Sequence, residues 1–140
     1  MAHPIRILVV DDNDRVRRGV IQILSSAPSC EVCGEAKDGT EALLQARELL
    51  PDLILLDISM PGLNGLEATR VLRRDVPTAR ILIMSQNDPA HLQPSAIEAG
   101  AEGCIDKSHL ATDLLPRIAS ITASLGPPRV GRDTRVGQDK

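Results

Sequence analysis

The sequence predicts an α/β fold: a doubly wound sheet of five parallel strands with helices on both faces. Three observations predict it. Apolar runs end near residues 10, 36, 57, 84 and 105, a repeat of 21 to 27 residues that suits right-handed crossover units. Several of these runs are almost wholly apolar, as strands covered on both faces must be. Between them the apolar residues recur at helical spacing, so strand and helix alternate five times.

The first run, Ile5 to Val10, is apolar apart from Arg6, rich in β-branched residues, and stops at Asp11-Asp12. Val16, Val20, Ile23 and Leu24 then fall on one helical face, with Asn13 or Asp14 placed to cap its start. A second strand spans Cys30 to Ala36. Asp38 and Glu41 have capping-box spacing ahead of a helix carrying Ala42, Leu43, Ala46, Leu49 and Leu50, which Pro51 stops. Leu53 to Leu56 is a short third strand ending at Asp57. Pro61 and Gly62 form a loop, and Asn64 caps a third helix running to about Arg74. Ile81 to Met84 is the fourth strand, ending at Ser85. Asp88-Pro89 suits the start of a fourth helix and Gly100 its end, but Pro94 lies inside it, so the helix is expected to begin late, near Pro94 itself. Gly103 to Ile105 is a brief fifth strand. Asp106-Lys107 follows, then a last helix from about Thr112 to Leu125 with Pro116 near its start. Residues 1–125 are read as one domain, and residues 126–140 as a disordered tail or an interdomain linker.

Composition narrows the function classes. The 140 residues are 42% hydrophobic and 25% charged, ordinary for a soluble globular chain. There is no Phe, Tyr or Trp, so the core has to be aliphatic. No stretch approaches the roughly 18 apolar residues of a membrane helix and no signal peptide opens the chain, so it is expected to be cytoplasmic. Residues 1–125 hold 12 basic against 17 acidic side chains, an acidic balance that argues against direct nucleic-acid binding. Cys30 and Cys33 form a C-x-x-C, but three residues along a strand span about 10 Å, beyond disulfide reach, and no second pair completes a metal site. They are read as ordinary thiols.

The chemistry-bearing residues stand at strand ends: Asp11 and Asp12, Asp57, Ser85 and Lys107. In an open parallel sheet that is the edge where ligands bind, at the point where strand order reverses. Three convergent carboxylates repel one another unless a cation intervenes or one is protonated. Mg2+ is the natural cation, since it accepts one or two carboxylates while still reaching a phosphate oxygen. A carboxylate can also attack phosphorus to give an acyl phosphate, in a reaction governed by positioning and charge neutralisation. Lys107 can supply positive charge and the Ser85 hydroxyl a hydrogen bond. Each residue alone has a plain structural reading, as a helix cap, a loop hydroxyl or a solvated cation. Their joint placement favours a phosphoryl-acceptor site.

From about residue 4 to residue 125 the chain resembles the receiver domains of two-component response regulators. The resemblance is carried by Ile7 to Asp12, Leu55 to Glu67, Ile81 to Ser85, Ala99 to Gly103 and Lys107. It implies a flavodoxin-like strand order of 2-1-3-4-5. It also implies that Asp57 takes phosphate from a sensor histidine kinase or a phosphotransfer protein, with Asp11, Asp12, Asp57 and the Ser59 main-chain carbonyl around Mg2+. Ser85 and Lys107 would read the phosphoryl state. Signalling would pass through the fourth helix, fifth strand and fifth helix, a surface also used for homodimers. The Ala99 to Gly103 wording, and the absence of Pro after Lys107, look most like the subfamily with a C-terminal helix-turn-helix. No such motif follows residue 125, so the chain reads as a stand-alone receiver or one ending in its linker.

The sequence also departs from the family. The switch position three residues before the lysine, usually aromatic and coupled to Ser85, is Cys104, too small for a large rotation. Helix displacement or another interface is expected to replace the aromatic switch. Asp106 is expected to point away from the site or to compete for Lys107. Arg15, Arg17 and Arg18 either face an acidic kinase surface or form a solvated helix face. Two rival functions are weighed. An aspartyl phosphohydrolase would want an acid two residues after the nucleophile, where Ser59 stands, and a cap insertion that the chain lacks. A degenerate receiver, acting as an unphosphorylated binding module, sits poorly with the complete acidic set.

Overall fold

A computed structural model describes residues 3–86 and 89–124. The expected cap at Asp88, the end of the last helix at Leu125 and the tail 126–140 lie outside the described residues. Five strands and five helices alternate: β1 (Ile5–Val10), α1 (Asp14–Ser25), β2 (Cys30–Ala36), α2 (Gly39–Leu49), β3 (Leu53–Asp57), α3 (Gly65–Asp75), β4 (Arg80–Ser85), α4 (Pro89–Ala99), β5 (Gly103–Asp106) and α5 (Leu110–Ser124). All the strand pairs are parallel, and the order is β2-β1-β3-β4-β5, as the resemblance implied.

Alternation along the strands divides the core into two layers. Leu8, Val10, Ile54, Leu56, Ile81 and Ile83 pack on one face against Ala42, Ala46, Ala68, Leu72 and Ala96 from α2, α3 and α4. Ile7, Val9, Leu53, Leu55, Leu82 and Met84 pack on the other against Val20, Leu24, Leu114, Ile118 and Ile121 from α1 and α5. Both faces are dry, which is why β3 reads as unbroken apolar sequence. Alanines on α2 to α4 let those helices sit close over large aliphatic strand residues. A dense interior is thereby reached without any ring.

Asn13, not Asp14, caps α1, its Oδ1 accepting from the N–H groups of Arg15 and Val16. Asn64 and Glu67 form a reciprocal capping box on α3. Asp38 accepts from the Glu41 N–H, but the Glu41 carboxylate reaches the Lys37 N–H instead of closing a box.

Three expectations need correcting. The fourth helix does not begin at Pro94: α4 starts at Pro89 and contains it. Pro94 and Ala90 are both exposed, so water can meet the Ala90 carbonyl that the ring leaves without an intrahelical donor. The last helix starts at Leu110, ahead of the expected Thr112, because a single 3-10 turn, Lys107–His109, leads straight into it. Regular alternation between Cys30 and Cys33 also fails. The β1–β2 register jumps between Ile7 and Leu8, leaving Cys33 as an unpaired bulge residue. Val32 therefore packs on the α1–α5 side while Ala36 packs on the other. Both thiols are free, as is Cys104.

Candidate functional site: a carboxylate crevice at the strand ends

The carboxyl ends of β1 and β3 are neighbours, with Val10 paired to Leu56. The chain from β1 crosses to β2 on one side, whereas the chain from β3 crosses to β4 on the other. The crevice opens where these two directions part. It is a small cavity of about 150 Å3 whose walls include Asp12, Asp57, Ser59, Ser85 and Lys107. Carboxylate oxygens of Asp11, Asp12 and Asp57 lie within 4.8 Å of one another. All the residues expected at the site are thus brought to one place, except that Asp11 lies beneath the cavity and Cys104 lines a different one.

Asp11 is completely buried. Its Oδ1 accepts from the Asn13 N–H at 2.8 Å, and its Oδ2 lies 2.7 Å from Lys107 Nζ. That ammonium is the one close donor to Oδ2 among the described residues. It compensates the charge and leaves the oxygen a lone pair for a further ligand. Asp12 is exposed and faces the cavity mouth.

Asp57 ends β3 with only 2% of its surface exposed. The Ser59 N–H donates to its Oδ1 at 3.1 Å, and Lys107 Nζ sits 3.0 Å from the same oxygen. Burial pushes its pKa up to about 6; the Asp11 charge adds to the rise, while Lys107 and the Ser59 amide oppose it. Burial also works against the Lys107 ammonium. The two carboxylates outweigh that effect and hold the lysine above its ordinary pKa. Ser85, buried at the end of β4, is the third wall.

Residues 7–119 match the response regulator receiver domain family. The chain is 38% identical over 119 residues to the response regulator GacA of Pseudomonas protegens, covering 85% of this chain and 56% of that one. It is 38% identical over 127 residues to the transcriptional regulatory protein LiaR of Bacillus subtilis, covering 90% and 59%. The chain belongs to the response regulator receiver domains.

Among solved structures, the signal receiver domain of a NarL response regulator from Mycobacterium tuberculosis superposes with a TM-score of 0.81 at 32% identity, covering 86% of this chain and 98% of that one. The chain spans little more than half the length of the curated relatives it matches. Receiver domains are signalling switches. None of the helices described here is long and apolar enough to cross a membrane.

Several residues have roles in this receiver that the sequence did not reveal. Arg17 faces inward: its guanidinium donates to the Asp11 carbonyl at 2.7 Å and pairs with Asp14 and Glu35 at 2.6 and 2.9 Å. It holds the end of β1 and is not available to a kinase, unlike Arg15 and Arg18, which are exposed. Gly65 was visible only as part of the family wording. A Cβ there would lie 2.7 Å from the Asp57 carbonyl oxygen and from the Ile58 Cα, so only glycine lets α3 start against the backbone of Asp57. Asp106 points away from the site, the first of the two expectations, and does not compete for Lys107, which pairs with Asp11 and Asp57. The Asp106 carboxylate takes Ser108 and His109 instead.

Around Cys104 the expected aromatic is replaced by polar contacts. The Cys104 N–H donates to Gln93 Oε1 of α4 at 2.9 Å, so a side chain covers the open edge of β5. Cys104 also lines a groove of about 450 Å3 between α4 and α5, together with Pro89, Pro116 and Arg117.

Proposed function

We propose that this chain is a phosphoacceptor switch in which Asp57 takes a phosphoryl group from a histidine kinase or phosphotransfer protein. The observation that carries the reading is the seating of Asp57: a buried carboxylate at the crevice, 3.0 Å from a lysine ammonium, beside two further carboxylates. In the transfer, an Asp57 carboxylate oxygen forms a bond to phosphorus as the donor's P–N bond breaks. The electron pair stays on the imidazole nitrogen, which picks up a proton, and Asp57 becomes an acyl phosphate. Hydrolysis of that bond by water resets the switch.

Asp11, Asp12 and Asp57, with the Ser59 main-chain carbonyl, would hold Mg2+. The donor set is all oxygen, which suits a hard cation, and Asp11 Oδ2, with the Lys107 ammonium as its one close donor among the described residues, keeps a lone pair for one. When bound, Mg2+ supplies charge neutralisation at phosphoryl oxygens. Lys107 provides the protein's own share of that charge, and the Ser85 hydroxyl donates to a phosphoryl oxygen once one is present.

The phosphorylated state signals through α4, β5 and α5, by displacement of α4 or through a homodimer on that face. The likeness to GacA and LiaR favours a cytoplasmic receiver of the transcription-regulator type, with residues 126–140 as linker and DNA contacts left to an output domain. Incubation with acetyl phosphate and Mg2+, followed by intact mass measurement, tests the reading. One phosphoryl adduct is expected on the wild type and none on Asp57→Asn. A wild type that takes no adduct would leave a protein-binding module as the function.

A further inference from the structure

Lys107 is the only cation that touches the acceptor carboxylates among the described residues, and it reaches them from an exposed turn. Its side chain is 10% exposed and lies against Asp11 and Asp57, yet it belongs to the first residue after β5. A lysine stem is long and freely rotating, so where its ammonium ends up depends on the direction in which the backbone sends it. The residue that follows is Ser108, which does not fix the backbone by itself.

The restraint comes from the residue before. Asp106 Oδ1 accepts from the Ser108 N–H at 2.9 Å and from the Ser108 hydroxyl at 2.6 Å, and Oδ2 lies 3.2 Å from His109 Nδ1. This is an N-cap on the 3-10 turn Lys107–His109, which runs directly into α5. Asp106 is paired in register with Ser85, so the cap is anchored to the sheet at the level of the site. The carboxylate itself points out of the crevice and touches neither Asp11, Asp57 nor Lys107.

We propose that Asp106 is a positioning residue of the acceptor site: by capping the turn through Ser108 and His109, it fixes the path along which Lys107 enters the crevice. The proposal rests on the reading of Asp57 as acceptor. It adds a residue that acts on the transfer through the lysine alone. Misplacing a catalytic group by about 1 Å can cost on the order of 100-fold in rate, so a loosened cap has room to show.

The test compares Asp106→Ala, Asp106→Asn and wild type, each also in a Lys107→Ala background. Two readouts are followed: the phosphorylation rate with acetyl phosphate and Mg2+, and the 15N resonance of the Lys107 ammonium, identified by its loss in Lys107→Ala. Asp106→Ala is expected to slow phosphorylation about tenfold and to shift or broaden the ammonium resonance toward that of a solvated lysine. Asp106→Asn keeps an oxygen that can accept from the Ser108 N–H, and it should restore most of the rate and the native resonance. With Lys107 gone, Asp106→Ala should change the rate no further. An equal loss in that background, or an unmoved ammonium resonance in Asp106→Ala, overturns the proposal. If the wild type accepts no phosphoryl group, the acceptor reading fails, and the resonance still decides whether Asp106 places Lys107.

Discussion

At the residue scale, Asp57 carries a conflict that can be measured. Its folded pKa of about 6 stands above the unfolded carboxylate value of 3.8. Between those two values the folded state holds a proton that the unfolded state has released. The stability this group contributes is therefore full below about pH 4 and is lost as pH rises through about 6. A shift of that size corresponds to a loss of about 3 kcal/mol at most by neutral pH. Asp57→Asn is expected to be more thermostable than wild type at pH 7 without divalent cations, with the gap closing toward pH 4.5. Thermal melts across that range check it, and a gap that does not vary with pH would refute it. The same titration governs reactivity, because only the ionised carboxylate attacks phosphorus. Labelling by acetyl phosphate with Mg2+ is expected to fall at acid pH, and to do so below the metal-free value of about 6, because a bound cation favours the ionised carboxylate. Lys107→Met should push in the same direction: with its ammonium gone, Asp57 has lost the cation 3.0 Å away while Asp11 remains.

At the scale of elements, α3 and α4 each hold part of the site by one residue. Gly65→Ala places a methyl group 2.7 Å from backbone atoms of Asp57 and Ile58, which cannot swing aside as a side chain could. The start of α3, or the end of β3, has to move. Overpacking of this kind costs about 1–3 kcal/mol, and here the displaced segment carries the acceptor. The variant is expected to melt lower and to label with acetyl phosphate at a reduced rate. Normal labelling with a lowered melting point would mean that the helix, and not the acceptor, had given way. On the other side, Gln93→Ala removes the side-chain acceptor of the Cys104 N–H and opens the edge of β5. Faster hydrogen exchange at the Cys104 amide is expected, because a capped edge donor becomes a solvated one. The central strands β1, β3 and β4 were legible because both their faces are largely buried and their apolar runs are therefore nearly continuous. The cap at Asn64 could be read because capping depends on residues close in sequence, and the cap at Asn13 as one of two candidates with Asp14. The start of α4 was signalled at Pro89, but Pro94 argued for a later one. Whether a proline inside a helix is tolerated depends on which face it lies on, and that is set by packing.

At the scale of the whole molecule, Asp57 and the α4–β5–α5 face proposed as the output are joined through one sheet. Asp57 pairs with Met84, Ser85 with Asp106, and β5 is held to α4 by Gln93. The convergence of Asp11, Asp57, Ser85 and Lys107 could be inferred from sequence because strand ends are ordered by topology. The inward turn of Arg17 and the bulge at Cys33 could not, because the one depends on Glu35 across the fold and the other on register; the contacts of Asp106 are local, to Ser108 and His109, but only the 3-10 turn after β5 makes them a cap. Cys104 shows what this means for signalling. In place of a ring that could rotate beneath the surface there is a small buried thiol beside a groove of about 450 Å3, which leaves no large side chain at position 104 to move. A change at Ser85 is then expected to reach the surface by shifting backbone, through its pairing with Asp106 and the Gln93 bond to β5. Ligand binding at the crevice stabilises whichever state it prefers. Beryllofluoride with Mg2+ is therefore expected to alter amide exchange across residues 85–116, with the largest change at the start of α4 and at Cys104. In Gln93→Ala the change at α4 should persist while that at β5 is lost. An unchanged 85–116 segment in the wild type would exclude this route and place the output of the switch on another face.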